Sequence, residues 1–223
     1  MADELETQPV FPLPNVVLFP KALLALHVFE PRYRLMMDEV IQGGQSICMA
    51  LLKPGWEADY YGSPEVHAVG CVGKVVSHQL LADGRYNLTL QGEYKVAIES
   101  FERDHPFRIA RLHRLAEDEG WCGKESTPKE SQELLAMFRR FNEGQGAALD
   151  LAATFGAQMD ADAVLNTIAM NLNVEAAVKQ ELLEMESTEL RYRAVHRVLA
   201  DASATQDVLD RARHRYPKDR REN

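Results

Sequence analysis

The chain has 223 residues, of which 46% are hydrophobic and 26% are charged, and its formal net charge is -9. This length and composition allow one large domain or two small ones with apolar cores. The negative charge argues against a general nucleic-acid binder, which needs a strongly basic surface, although a local basic patch is still compatible with it. The acidic N-terminus lacks the positive region and apolar core of a signal peptide. The apolar run from Val10 to Phe29 is interrupted by prolines, Asn15, Lys21 and His27, so it is not expected to span a membrane.

The three cysteines, Cys48, Cys71 and Cys122, form no CxxC pair. Cys48 and Cys71 lie in apolar runs, which favours small buried thiols over reactive or metal-ligating ones. An odd number of unpaired thiols is typical of a reducing compartment. The sequence therefore predicts a cytoplasmic protein that makes no contact with a membrane.

The segment 11–34, FPLPNVVLFPKALLALHVFEPRYR, contains two apolar runs separated by Pro20 and Lys21. Because proline donates no backbone hydrogen bond, the proline-rich first part is predicted to be an edge segment that ends in a turn. The second run predicts a buried strand from about Ala22 to Val28. His27 within it is interpreted as a hydrogen-bonded core or rim residue rather than a ligand or base.

A helix is predicted from Pro31 to about Ile41. Proline suits the first helical position, and the carboxylate of Glu30 favours the positive end of the helix. Gly43 and Gly44 are predicted to end the helix, since glycine readily takes the left-handed conformation there. The residues predicted to face the core are Tyr33, Leu35, Met36 and Val40.

The next hundred residues carry strand patterns. Ser46–Leu52 is short, apolar and bounded by turn residues, which predicts a buried strand. Val66–Leu115 reads as strands throughout, with a hairpin signal at Asp83-Gly84 and a bulge or bend at Gly92. Many short strands around one helix predict a closed or nearly closed barrel.

Composition changes at Ala116, where a charged, turn-rich stretch begins. Beyond it, apolar residues recur at helical spacing, with Asp160, Asn173 and Ser187 or Thr188 as predicted N-caps. Four such helices can form a small bundle. The prediction is an α+β protein with a β-rich domain at 1–116, a linker at 117–129, a helical bundle at 130–215 and a loose basic tail at 216–223.

Several motifs together resemble one known family, the N-terminal, substrate-binding domain of Lon proteases. They lie in the family's order and span roughly Pro9 to Leu199. The matching segments are Phe11–Pro14, Pro20, Leu26–Phe29, Glu30–Arg34, Gly73–Val76, Asp83–Gly92 and Lys179–Glu184. The resemblance implies a PUA-like barrel followed by a helical bundle, and a role in recognising polypeptides.

Neither an ATPase nor a peptidase is expected. Full Lon proteases carry ATPase and Ser–Lys peptidase modules after this domain, and a chain of this length cannot house them. The nearest match to a phosphate loop, around Gly70–Lys74, fails because Ala68 replaces its first glycine and Val75 its Ser or Thr. The seven histidines are scattered without zinc-like spacing. The adjacent carboxylates 117–119 are typical of a solvated linker. We therefore expect no catalytic residues, no metal and no cofactor.

The long loop Lys53–Glu65 carries Trp56, Tyr60 and Tyr61. Aromatic residues on an irregular segment either anchor the loop to the domain or present apolar surface to a partner. These three residues are the candidate polypeptide-binding site.

Three functions are compared. The first is a non-catalytic module that binds unfolded polypeptides or a protein partner. The second is an enzyme with a cleft between barrel and bundle, since pockets favour domain junctions. The third, RNA binding through the barrel, is disfavoured by the net charge and by the lack of interleaved basic and aromatic residues on the strands. Its basic contribution would come from Arg211, Arg213, Arg215, Lys218, Arg220 and Arg221.

Overall fold

The computed structural model describes residues 5–117, 128–145 and 160–215. In these ranges the strands are β1 (Leu5–Leu13), β2 (Leu23–Val28), β3 (Ser46–Leu51), β4 (Val69–Leu80), β5 (Tyr86–Arg103) and β6 (Arg108–Arg114). The α-helices are α1 (Pro31–Gln42), α2 (Pro128–Gln145), α3 (Ala161–Asn171), α4 (Ala176–Glu184) and α5 (Thr188–Arg215). The α+β class is confirmed. Most of the predicted linker, Cys122 and the predicted basic tail lie outside the described residues.

The strands form one mixed sheet in the order β2-β5-β4-β3-β1-β6. β1 and β3 are parallel, and the other neighbours are antiparallel. The long strand β5 pairs with β4 along one edge. Along its other edge it pairs first with β2, through Tyr86–Gln91, and then with β6, through Val96–Arg103. The sheet therefore curves so that β6 contacts both β1 and β5.

For the segment 11–34, the predicted edge agrees with the structure at Phe11–Leu13, and the predicted buried strand is wrong. Phe11–Leu13 pairs with β3 alone and so lies at an edge as predicted, whereas Leu5–Val10 pairs with β6. Each half of β1 pairs on one side only, which tolerates the missing N–H groups of its prolines. β2, predicted to be a buried strand, pairs with β5 alone, and His27 is exposed on it. The His27 ring makes a 2.7 Å hydrogen bond with Asn87, as expected for a rim residue.

Helix α1 confirms the predicted start at Pro31 but differs in two details. Met37 is buried, whereas Leu35 is half exposed, so the inward face is rotated from the predicted one. Gly43 ends the helix with φ near -106°, and the left-handed residue of this turn is Gln45. The cap is closed by the Gly43 N–H, which donates to two carbonyls of the last turn.

The hairpin and the bend in β4 and β5 are confirmed. Gly84 takes a positive φ in the turn, and the pairing of β5 with β4 shifts register beside Gly92. A Cβ on Gly92 would lie 2.1 Å from the Phe19 carbonyl oxygen, so only glycine fits this approach. Cys48 and Cys71 are buried free thiols, and burial raises the pKa of Cys48 to about 12.

The helices following the strands begin close to their predicted caps. The Asp160 carboxylate accepts from the Asp162 N–H, and the Ser187 hydroxyl accepts from the Leu190 N–H. Helix α4 departs from the prediction, because it starts at Ala176 with Glu175, not Asn173, as its N-cap.

Strands and helices share one apolar core. It joins residues of the strand half (residues 5–117) to buried residues of the four later helices that the structure describes. Its members include Val17, Phe19, Ala22, Leu51, Leu134, Phe138, Leu165, Ile168, Leu182 and Val195. A second cluster lies between α1 and the sheet, and includes Tyr33, Met36, Met37, Leu88 and Leu90. The helices are thus held directly against the strands.

Candidate functional site

The loop Lys53–Glu65, called the aromatic loop below, joins β3 to β4 and is closed at its base. The Lys53 N–H donates to the Glu65 carbonyl at 2.8 Å, and the two side chains form an ion pair at 2.9 Å. Gly55 has φ 91°, a left-handed conformation that favours glycine, and begins the short 3-10 helix Trp56–Asp59. The two ends of the loop are therefore held together.

Tyr60 is anchored to the start of α1. Its hydroxyl donates to the Glu30 carboxylate at 2.5 Å, and the Arg32 guanidinium donates to the Tyr60 carbonyl at 3.1 Å. Arg32 and Glu30 also form an ion pair at 3.1 Å. Burial raises the pKa of the Tyr60 hydroxyl, and the hydrogen bond to Glu30 raises it further. Tyr60 thus holds the loop to the segment that carries the family resemblance.

The other two aromatic residues pack on Tyr60 in different environments. The Trp56 ring lies 5.5 Å from the Tyr60 ring in an edge-to-face arrangement and is half-buried. The Tyr61 ring lies 5.1 Å from the Tyr60 ring, also in an edge-to-face arrangement, and Tyr61 is 85% exposed. The structure brings the three predicted residues together, with two forming a support and Tyr61 facing solvent.

Arg108, which was not predicted from the sequence, holds the end of the aromatic loop. It lies in β6, is buried, and donates to the Pro64 carbonyl at 2.7 Å. Its guanidinium is 3.7 Å from the Asp104 carboxylate. Burial lowers the pKa of Arg108. Arg108 lies in a strand where polar and apolar residues alternate, so its position in the sequence does not indicate that it binds the loop.

The junction between strands and helices is a second polar region. Arg191 of α5 is fully buried and donates to the carbonyl of Leu182 at 2.9 Å, the amide oxygen of Asn166 at 2.8 Å and the carboxylate of Glu117 at 2.5 Å. Asn166 in turn donates to the Pro20 carbonyl at 3.0 Å. The guanidinium therefore connects three helices to the strand half.

Lys95 of β5 extends this network, and Gln180 of α4 makes a separate contact between a helix and the strands. The Lys95 ammonium donates to the Met185 carbonyl at 2.7 Å and lies 3.3 Å from the Glu117 carboxylate. Burial lowers the pKa of Lys95, against the opposing attraction of Glu117. The Gln180 amide donates to the Val69 carbonyl at 2.9 Å. These hydrogen bonds join the helical part of the chain to the strands, which is the geometry of a structural joint.

Two further observations concern the described residues only. In the ranges 5–117, 128–145 and 160–215, no group of three or more His, Cys, Asp or Glu side chains is arranged to hold a metal ion. Nor does that part of the chain contain a helix that is both long and apolar enough to cross a membrane.

The architecture defines an α+β domain of the Lon N-terminal type. It is similar to the crystal structure of a Lon N-terminal domain protein from Xanthomonas campestris, with a TM-score of 0.57 and 22% identity over 87% of this chain and 98% of that one. It is also similar to the N-terminal domain of the Mycobacterium avium complex Lon protease, with a TM-score of 0.63 and 15% identity over 88% of this chain and 99% of that one.

The family model of the ATP-dependent protease La (LON) substrate-binding domain matches residues 7–201. The chain belongs to this family, which confirms the resemblance seen in the sequence. The Lon protease of Desulfosudis oleivorans is 24% identical over 87% of this chain and 24% of its own length. Lon protease 2 of Syntrophobacter fumaroxidans is 28% identical over 81% of this chain and 22% of its own length. The chain spans about a quarter of the curated relatives it matches.

Proposed function

We propose that this protein is a non-catalytic module that binds unfolded polypeptides, with Tyr61 at the centre of the contact surface. The observation that carries the proposal is the 85% exposure of Tyr61 beside two anchored aromatic residues. A rigid aromatic side chain offers a large contact area at a small entropy cost, which is why such residues dominate binding hot spots. Membership of a substrate-binding domain family supports a polypeptide as the ligand.

The anchoring of Tyr60 supports the same function. Because Glu30 and Arg32 hold Tyr60 and its carbonyl, the loop backbone is fixed before a ligand arrives. A pre-organised surface loses less conformational entropy on binding than a mobile one. Trp56 and Tyr60 are then supports, and the binding role among the three predicted residues falls mainly to Tyr61.

The scaffold is inferred to be a PUA-like barrel that carries a helical bundle, and the protein is inferred to act in the cytoplasm. Pairing of β5 with both β4 and β6 supports the barrel, and the shared apolar core of the later helices supports the bundle. Two buried free thiols, Cys48 and Cys71, support a reducing compartment.

Binding can be tested with fluorescently labelled lysozyme that has been reduced and carboxymethylated so that it stays unfolded. The chain is expected to bind this probe and not native lysozyme. Tyr61→Ala is expected to weaken binding by about 1–2 kcal/mol, or roughly 5- to 30-fold, without loss of stability. Leu190→Ala, at another exposed apolar residue, is the matched control. Equal losses for both variants would contradict the proposal.

The non-catalytic part of the proposal has its own test. Purified protein is expected neither to hydrolyse ATP nor to degrade casein. Turnover that co-purifies with the protein and disappears with a point substitution in this chain would contradict it.

A further inference from the structure

Strand β2 has one edge that is open within the described part of the chain. It stands at the end of the strand order and pairs with β5 alone. Among residues 5–117, 128–145 and 160–215, no backbone group outside β5 is hydrogen-bonded to Leu23–Val28. An open strand edge presents a row of N–H and C=O groups that matches another extended chain.

The register shows which amides face outward. The Gly92 N–H donates to the Ala22 carbonyl at 2.9 Å, so this pair is a hydrogen-bonded one. Hydrogen-bonded and non-bonded pairs alternate along antiparallel strands. The groups of Leu24, Leu26 and Val28 therefore bond to β5. The N–H and C=O groups that point to the open edge are those of Leu23, Ala25 and His27.

This edge lacks the features that proteins use to prevent strand addition. Leu23–Val28 contains no proline and no Lys, Arg, Asp or Glu, and it pairs with β5 in continuous register. By contrast, β4 shifts register between Val75 and Ser77, just beyond its last pair with β3. A six-residue edge without a bulge and without a Lys, Arg, Asp or Glu of its own is ready to accept another strand.

We propose that the open edge of β2 binds an extended, uncharged segment of an unfolded polypeptide as an added strand. The inference rests on the proposed function and adds to it a mode of recognition. Backbone hydrogen bonds are available in every sequence, so this mode admits many different polypeptides. A second copy of this chain is a poorer occupant, because two chains of net charge -9 repel each other.

The residues that follow β2 in the chain contact the aromatic loop. Phe29, which follows β2, is 58% exposed. The next residue, Glu30, holds the hydroxyl of Tyr60 beside Tyr61. A bound segment would therefore pair its backbone along β2 and place apolar side chains at Phe29 and toward Tyr61.

Amide hydrogen exchange measured by NMR tests the inference without a substitution. The reduced, carboxymethylated lysozyme probe is added to the full chain at saturation. We expect slower exchange at the outward amides Leu23, Ala25 and His27, by about tenfold or more. Binding without such protection overturns the edge inference and leaves the proposed function standing. No binding at all overturns the proposed function, and the edge inference falls with it.

A pair of variants at one position gives a second test. Ala25→Pro removes an outward donor, whereas Ala25→Val keeps it and suits a strand. With both variants folded, as judged by thermal melting, Ala25→Pro is expected to weaken probe binding about tenfold, and Ala25→Val to leave it unchanged. Equal affinities overturn the inference. Protection of the same amides that rises with protein concentration alone would assign the edge to a second copy instead.

Discussion

The aromatic loop and the junction between strands and helices use the same chemistry in different surroundings. Each is organised by an arginine and a carboxylate: Arg32 with Glu30 at the loop, and Arg191 with Glu117 at the junction. The Arg32 side chain remains 22% exposed, whereas that of Arg191 is fully buried. A buried guanidinium must have its donors satisfied, and Arg191 obtains this from carbonyl and amide oxygens as well as from Glu117.

Under the proposed function, this difference separates a rigid joint from a recognition surface. At the junction Arg191, Asn166 and Lys95 donate their hydrogen bonds to other groups of the chain, so the helices are held to the strands. At the loop the ion pair fixes Tyr60 and leaves Tyr61 in solvent. The substitutions that follow test whether the junction contributes more to the stability of the fold than the loop does.

The largest effect is expected at the junction. Arg191→Met leaves the buried oxygens of Leu182 and Asn166 without a donor and removes one of the two cations beside Glu117, which should lower the free energy of unfolding by about 3–5 kcal/mol. Urea denaturation measures this change. Arg193→Met, two residues along α5 at an exposed ion pair, is the control and should cost at most about 1 kcal/mol. Similar losses in the two variants would show that the buried network does not hold the halves together.

The next effect is expected where the backbone at Gly92 closely approaches the backbone at Phe19. Gly92→Ala places a methyl group against the Phe19 carbonyl and should destabilise by about 1–3 kcal/mol. Gly44→Ala is the matched control, because a Cβ there meets nothing within 4 Å. Thermal melting of both variants checks the prediction. A Gly92→Ala protein as stable as Gly44→Ala would contradict the described approach.

At the loop the expected effects are smaller. Tyr60→Phe removes the hydrogen bond to Glu30 and should cost about 1 kcal/mol of stability. Tyr61→Phe keeps the exposed ring and should stay within about 0.5 kcal/mol. Both are read from urea denaturation. Should Tyr61→Phe prove the more damaging of the two, the assignment of support and contact residue would be reversed.

The smallest effect is a dependence on pH. The pKa of Tyr60 is raised by burial and then by Glu30, so the folded state holds this proton more tightly than the unfolded state. The contribution of this tighter proton binding to the free energy of unfolding is fully present below the usual tyrosine pKa of about 10. It is lost as the pH rises above that value towards the raised pKa of the folded state. The advantage of wild type over Tyr60→Phe should therefore shrink by a few tenths of a kcal/mol between pH 9 and 11, allowing for solvent screening. A constant difference in unfolding free energy would contradict this.

Local signals in the sequence predicted the elements that depend on neighbouring residues. Pro31 marked the start of α1, Gly84 the hairpin and Asp160 the cap of α3. Each signal acts through bonds to residues at most a few positions away. The three aromatic residues of the loop were also predicted together, because they are close in sequence.

Contacts between distant residues escaped prediction. Glu117 looked like part of a solvated linker, yet it binds Arg191, 74 positions away. Glu30 and Arg32 were assigned to the start of α1, and their contacts with Tyr60 depend on how the loop folds back. The edge position of β2 was missed for the same reason, since its partner β5 begins only at Tyr86. Pairing at this separation is decided by the whole sheet.

The divided pairing of β1 has a consequence for synthesis of the chain. Its residues Leu5–Val10 pair with β6, which is completed only at Arg114. At the usual elongation rates the ribosome needs roughly 5–20 s to add the intervening hundred residues. During that interval the N-terminal half of β1 has no partner strand. A module proposed to bind unfolded chains is thus, while it is being made, an unfolded chain with an unpaired strand of its own.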